Sequence, residues 1–262
     1  MTDDVRLLDL AAELAGRAGA EILAIRRRGF EVQRKADRSV VTEADHASEA
    51  LIVAGLGAAL PGCTIVAEEA VAGGRIATAT AAFWLVDPLD GTREFTDGGD
   101  DFAVNIGLVR DGRAVLGVVG VPATGEIFGG IVGVGAWRQK DGVRSAIAVR
   151  APPPEGLTVV ASRNHGDRVR LDKFLQGRTV AAVVNFGSSL KFCRVAEGSA
   201  DLYPRFGRTM EWDTCSPQAV LEAAGGCVVT LDGLPLHYGK AGWDNPHFVC
   251  WGRRPEGLAA WC

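Results

Sequence analysis

A chain of 262 residues is long enough for one large domain or two fused lobes with an ample core. Its hydrophobic share of 47% and charged share of 23% are those of a soluble globular protein. The net charge of −4 speaks against a nucleic-acid polyanion or an acidic membrane surface as partner.

In chain order, residues 5–28 carry apolar side chains at helical spacing (Leu7, Leu10, Leu14, Ala18, Ile22, Ile25), and Gly29 ends the run as a C-cap. The run Arg26-Arg27-Arg28 meets the negative end of that helix. Residues 31–41 read as a short irregular hairpin. Thr42 followed by Asp45 resembles a capping box, with a helix running to about residue 60, where Pro61-Gly62 stops it. Asp45 alone therefore reads as a helix-start acid.

Residues 64–67 form a strand that ends on Glu68-Glu69, by themselves a solvated loop. Residues 83–86 form a buried strand that ends on Asp87-Pro88-Leu89-Asp90. Pro88 pre-sets a turn that brings Asp87 and Asp90 to one side, and Gly91 and Thr92 open a short helix with unpaired N–H groups. That arrangement suits a divalent cation beside a phosphate, although an ordinary Asp-Pro-x-Asp-Gly turn reads the same. The two strand ends could lie side by side.

Residues 102–109, 114–121 and 127–133 read as an antiparallel meander with turns at Asp111-Gly112 and Thr124-Gly125. Its glycines (Gly129, Gly130, Gly133, Gly135) read as bulges and close strand contacts rather than a phosphate loop. Ala151-Pro152-Pro153-Pro154 is a linker. Beyond it strands at 157–162, 179–184, 200–203 and 227–231 alternate with helices at 167–175, 188–197 and 213–224. The expected architecture is an α+β lobe followed by an α/β lobe in stacked layers. Asp213 falls where an N-cap belongs.

No long apolar span is present, and the acidic start (Asp3, Asp4) is unlike a signal peptide. Six cysteines without C-x-x-C pairing read as small residues in a reducing cytoplasm. His46, His237 and His247 read as structural.

Four acidic points (Asp45, Glu68-Glu69, Asp87/Asp90, Asp213) each fall at a strand end or helix start, where sites form. They offer hard oxygen donors with no thiolate or imidazole, a set that favours Mg²⁺ over zinc. In order and local context they resemble the metal motif of the Mg²⁺-dependent, lithium-sensitive phosphomonoesterases of the inositol monophosphatase superfamily. Within it, the segments 89–95, 187–193, 195–198 and 201–206 look most like bacterial 3′(2′),5′-bisphosphate nucleotidases of the CysQ type. The resemblance spans residues 7–245. It departs at Cys215-Ser216, where two alanines are usual, and leaves the packing there open.

The resemblance implies an αβαβα sandwich and two or three Mg²⁺ ions. It implies a lobe of residues 1–150 carrying the metal site and a lobe of residues 151–262 completing it and binding substrate. Glu68, Asp87 and the Leu89 carbonyl would hold one ion, and Asp87, Asp90 and Asp213 a second. Asp45 would serve a third, water-rich position or orient the nucleophile's network, and Glu68 and the Thr92 hydroxyl would steer the attacking water. The reacting phosphate would lie against Glu68, Leu89, Asp90, Gly91, Thr92 and Asp213. His165, Ser188, Lys191 and Arg205 would hold a distal phosphate, Ser188 and Lys191 sharing a helical face.

The implied activity is hydrolysis of adenosine 3′,5′-bisphosphate, and of its sulfated form, to the 5′-nucleotide, linked to sulfur assimilation. The implied partner is this small phosphorylated nucleotide. The chain would be a cytoplasmic monomer or homodimer, with association to the inner membrane face as a variant. The alternative enzyme is an inositol-phosphate or sugar-phosphate phosphatase, against which Arg93-Glu94 after Thr92 argues. A non-enzymatic metal-binding regulator is the alternative outside that class; all mapped catalytic positions are filled.

Overall fold

A computed structural model describes residues 3–35, 39–75, 78–163 and 167–253. Two helices open the chain, α1 (Asp3–Arg28) and α2 (Glu43–Ala59), separated by the hairpin β1 (Val32–Arg34) and β2 (Val40–Thr42). The apolar face of α1 buries Leu14, Ala18, Ile22 and Ile25. It lies so close to α2 that a side chain at Gly55 would strike Leu14 within 2.3 Å.

Both helices cover one face of a seven-stranded sheet in sequence order. Its strands are β3 (Thr64–Ala67), β4 (Ala82–Asp90), β5 (Ala103–Arg110), β6 (Arg113–Val121), β7 (Glu126–Ile131), β8 (Gly135–Lys140) and β9 (Val143–Ile147). The first pair is parallel and the others antiparallel. Two short helices leave its edge, α3 (Glu68–Ala72) after β3 and α4 (Thr92–Thr96) after β4.

The second sheet has the order β11-β10-β12-β14-β13. It is built from β10 (Leu157–Ser162), β11 (Val180–Phe186), β12 (Leu202–Arg205), β13 (Cys227–Thr230) and β14 (Phe248–Trp251). Between the sheets lie α6 (Leu190–Ala196) and α7 (Glu211–Ala223), while Leu171 and Phe174 of α5 (Arg168–Leu175) cover the outer face of the second sheet. The result is the expected αβαβα sandwich.

Three glycines decide how closely α7 approaches the first sheet. A Cβ at Gly117 would lie 2.2 Å from the Ser216 carbonyl oxygen, one at Gly107 2.7 Å from Cys215 Sγ, and one at Gly130 2.8 Å from Ala223 Cβ. The pair Cys215-Ser216 thus sits at the tightest helix–sheet contact, and Ser216 Oγ is buried there without a hydrogen-bond partner among the described residues.

Several expectations shift. The Asp87-Pro88-Leu89-Asp90 segment is not a free turn: it continues β4 through an irregular register against β5. Glu68 and Glu69 begin a helix rather than a solvated loop. Ser188 precedes α6 with a φ of 43°, so it shares no helical face with Lys191. Asp213 stands in the first turn of α7, beyond the N-cap Met210, whose backbone N–H it accepts at 2.9 Å. Gly129 and Gly130 lie in a regular β6–β7 ladder and serve close contacts, not bulges. The strands β8, β9 and β14 were not anticipated. No helix among the described residues is long and apolar enough to cross a membrane.

Candidate active site

Parallel pairing of β3 with β4 puts Ala67 opposite Val86, so Glu68 and Asp87 emerge side by side. Beyond Asp87, Leu89 N–H donates to Asp87 Oδ1 at 3.0 Å, curling the strand end. Ser48 Oγ of α2 donates to the Pro88 carbonyl at 2.8 Å and pins the curl to the helix layer. Gly91 then turns the chain with φ 91°, and a Cβ there would meet the Asp101 carbonyl at 2.9 Å, so both conformation and space call for glycine.

The capping box of α2 is real and does more than cap. Asp45 Oδ2 accepts from the Thr42 N–H and hydroxyl, each at 2.7 Å, while its Oδ1 faces the Thr92 hydroxyl at 2.9 Å. The Leu89 carbonyl is also 3.0 Å from Thr92 Oγ1. Asp45 is 1% exposed and lies behind Thr92 rather than in the cavity wall.

Glu68, Asp87, Leu89, Asp90, Gly91, Thr92, Ser188, Lys191, Arg205 and Asp213 all line one cavity of about 390 Å³. His165 lies outside the described residues. The acids crowd one wall and share a field. Burial first, then Glu68, Asp90 and Asp213, push the Asp87 carboxyl well above its ordinary range. Burial followed by Asp90 and Glu68 pushes Asp213 up to about 8. Asp90 is also raised by burial, against the pull of Lys191.

A set of buried, crowded acids, with Asp87, Asp90 and Asp213 raised above the ordinary carboxylate range, fits a divalent cation, and all the donors are oxygens. Among the described residues, no three such side chains already close on one point as ligands. Each acid is held instead by a backbone N–H or a cation: Asp87 by Leu89, Asp90 by Ser189, Asp213 by Met210, and Glu68 by Lys35.

The same cavity carries basic residues. Lys191 is 3% exposed, its ammonium turned onto the Phe186 and Ser188 carbonyls, and burial lowers it to about 8. Arg205 donates to the Arg208 carbonyl at 3.0 Å, and its buried Nε has no partner among the described residues. Such an orphaned guanidinium donor at a cavity wall suits an anionic ligand group.

Sequence reasoning passed over two residues here. Lys35 binds Glu68 and Glu69, and Asn105 bridges Asp90 and Ser189, while Arg93, read from the sequence only as a mark against an inositol-phosphate phosphatase, lines the cavity. Only Asn105 had a signal, a lone polar residue in an otherwise apolar strand.

Comparison with known proteins agrees with this geometry. The chain matches the inositol monophosphatase family over residues 3–258. It is 42% identical over 246 residues to the 3′(2′),5′-bisphosphate nucleotidase CysQ of Escherichia coli (strain K12), covering 92% of this chain and 98% of that one. Among solved structures it is similar to CysQ from Bacteroides thetaiotaomicron, with a TM-score of 0.79 and 32% identity over 95% of this chain and 98% of that chain. The Thermotoga maritima IMPase superposes with a TM-score of 0.78 at 25% identity, over 94% of this chain and 92% of that one. The match over nearly the whole chain, the shared sandwich and the acid-lined cavity together make this chain a member of the inositol monophosphatase family.

Proposed function

We propose that the chain is a Mg²⁺-dependent phosphomonoesterase that removes the 3′-phosphate of adenosine 3′,5′-bisphosphate, and of its 5′-phosphosulfate form, leaving the 5′-nucleotide and phosphate. One observation carries the reading. The cavity that the carboxylates line also carries Lys191 and Arg205, cationic groups that a substrate with a second phosphate requires. The likeness to proteins named as 3′(2′),5′-bisphosphate nucleotidases supports the same choice.

Glu68, Asp87, Asp90, Asp213 and the Leu89 carbonyl would hold the ions. Magnesium supplies Lewis acidity and charge neutralisation for in-line attack by water. The chain's own residues do the rest. The Thr92 oxygen, fixed between Asp45 and the Leu89 carbonyl, would accept a hydrogen bond from the attacking water and aim its lone pair, and the proton that the water gives up would pass through the Thr92 hydroxyl to Asp45 Oδ1. Glu68 holds that water from the other side. The Gly91 and Thr92 N–H groups face the reacting phosphate, and Arg205 Nε and Lys191 hold the distal one.

The reading places the enzyme in sulfur metabolism and in the cytoplasm, with Li⁺ as an inhibitor. Its test is Mg²⁺-dependent phosphate release from adenosine 3′,5′-bisphosphate, inositol 1-phosphate and fructose 1,6-bisphosphate at equal low concentration, each with and without Li⁺. A strong preference for the nucleotide, lost with Li⁺, is expected. Preference for inositol phosphate would overturn the substrate assignment and keep the metal wall. No release from any of the three would overturn the enzymatic reading.

A further inference from the structure

Lys35 follows strand β1, and its backbone N–H donates to the Ser39 carbonyl at 2.9 Å, which fixes where the side chain starts. The ammonium then crosses to the head of α3, with Nζ 2.7 Å from Glu68 Oε1 and 2.6 Å from Glu69 Oε1. Its side chain is only 14% exposed. The two contacts differ in kind. Glu69 is buried and anchored, its own N–H donating to Glu49 Oε2 at 2.7 Å, whereas Glu68 is more open and lines the acidic wall of the cavity. Glu69 therefore acts as the fixed post of Lys35, and Glu68 as the partner that a second cation can also claim.

We propose that Lys35 is a built-in competitor of the divalent cation. Its ammonium and the cation share Glu68, so Lys35 holds down the affinity of the Glu68 side of the carboxylate wall. This inference rests on the metal-dependent reading given above.

The physical argument is the balance of charge at a short distance. A hydrogen bond at 2.7 Å to Glu68 occupies one carboxylate oxygen and withdraws charge from the other. A cation at Glu68 also comes within a few ångströms of the ammonium, where like charges repel strongly in a partly dry site. Removing the ammonium relieves both effects and leaves the oxygen donors in place. A cation held less tightly at Glu68 exchanges with the solvent, so occupancy of that side follows its free concentration. Glu69, by keeping Lys35 next to Glu68, makes the competition permanent.

The test is binding of Mn²⁺ alone, without substrate, followed by electron paramagnetic resonance of the free ion. Wild type, Lys35→Met and Lys35→Arg would be compared at about pH 8, where ordinary carboxylates are ionised. The expected result is at least about a threefold tighter dissociation constant in Lys35→Met, with Lys35→Arg near wild type, because only the charge matters. Equal or weaker binding in a folded Lys35→Met protein would overturn the proposal, and so would equal tightening in Lys35→Arg. Lys35→Gln, read the same way, replaces Lys35→Met should circular dichroism show that variant unfolded. Absence of any Mn²⁺ binding by the wild type would instead overturn the metal-dependent reading itself.

Discussion

The backbone N–H of Ser189 donates to Asp90 Oδ2 at 2.5 Å, joining the end of β4 to the loop that enters α6. Asn105 reinforces the link: its Nδ2 lies 3.4 Å from the same oxygen, and its Oδ1 accepts from the Ser189 hydroxyl at 2.8 Å. The acidic wall and the segment that leads to Lys191 are thereby fixed to each other through one carboxylate.

Replacing Asp90 with Asn keeps an acceptor for the Ser189 N–H but removes the charge. Turnover should fall by at least about a hundredfold, since on the proposed reading the Asp90 charge helps to hold the ion that neutralises the reacting phosphate. The thermal midpoint should hold or rise, because a buried charge in a repulsive cluster is lost. Phosphate release and a melting curve on the same preparation check both; near-normal turnover would remove Asp90 from the machinery.

Asn105→Leu has about the same volume and none of the polar contacts. On the proposed reading it should lower turnover about 10- to 100-fold, as loss of a group that orients an ion ligand does. Leaving the Ser189 hydroxyl without its acceptor should cost about 1–3 kcal/mol of stability, read from urea unfolding.

Ser216→Ala removes a buried hydroxyl that has no partner among the described residues. Stability should rise by about 1 kcal/mol, the desolvation cost of an unpaired polar group, with turnover unchanged. A loss of stability would show that the hydroxyl is paired after all.

The acid wall also sets a pH dependence. Burial raises Glu69 to about 7, and burial with Asp90 and Glu68 raises Asp213 to about 8, against ordinary values near 4. Acids with raised folded values contribute stability that is full below about 4 and is lost as pH rises through their folded values. In a chelator the melting temperature should therefore drop between pH 5 and pH 8, about the span of those shifts. Added Mg²⁺ should restore it, with a larger upward shift at the higher pH. An equal Mg²⁺ shift at both would mean that Asp213 does not share the ion.

Much of this was legible in consecutive residues. The apolar period of α1, the Thr42–Asp45 cap, the strand end before Glu68 and the Gly91 turn are local patterns, and each stands in the structure where the pattern placed it, whereas the strand expected to end at Asp87 runs on to Asp90. The family resemblance was carried by the same local motifs. Strands β8 and β9 escaped because they lie at the exposed edge of the sheet, where Ala136 alone of their residues is buried and no apolar alternation is called for. Strand β14 escaped because four fully buried residues carry no period at all.

The sequence alone determined which acids and turns the chain owns, because spacing, caps and glycines act within a few residues. The resemblance implied that Asp213 joins Asp87 and Asp90; the tertiary structure decided how the three share one field, that Lys35 reaches Glu68 and that Ser188 lies outside its helix. Those outcomes depend on the Gly107 and Gly117 contacts that seat α7 and on charges summed across chain-distant groups, and no run of neighbouring residues encodes either.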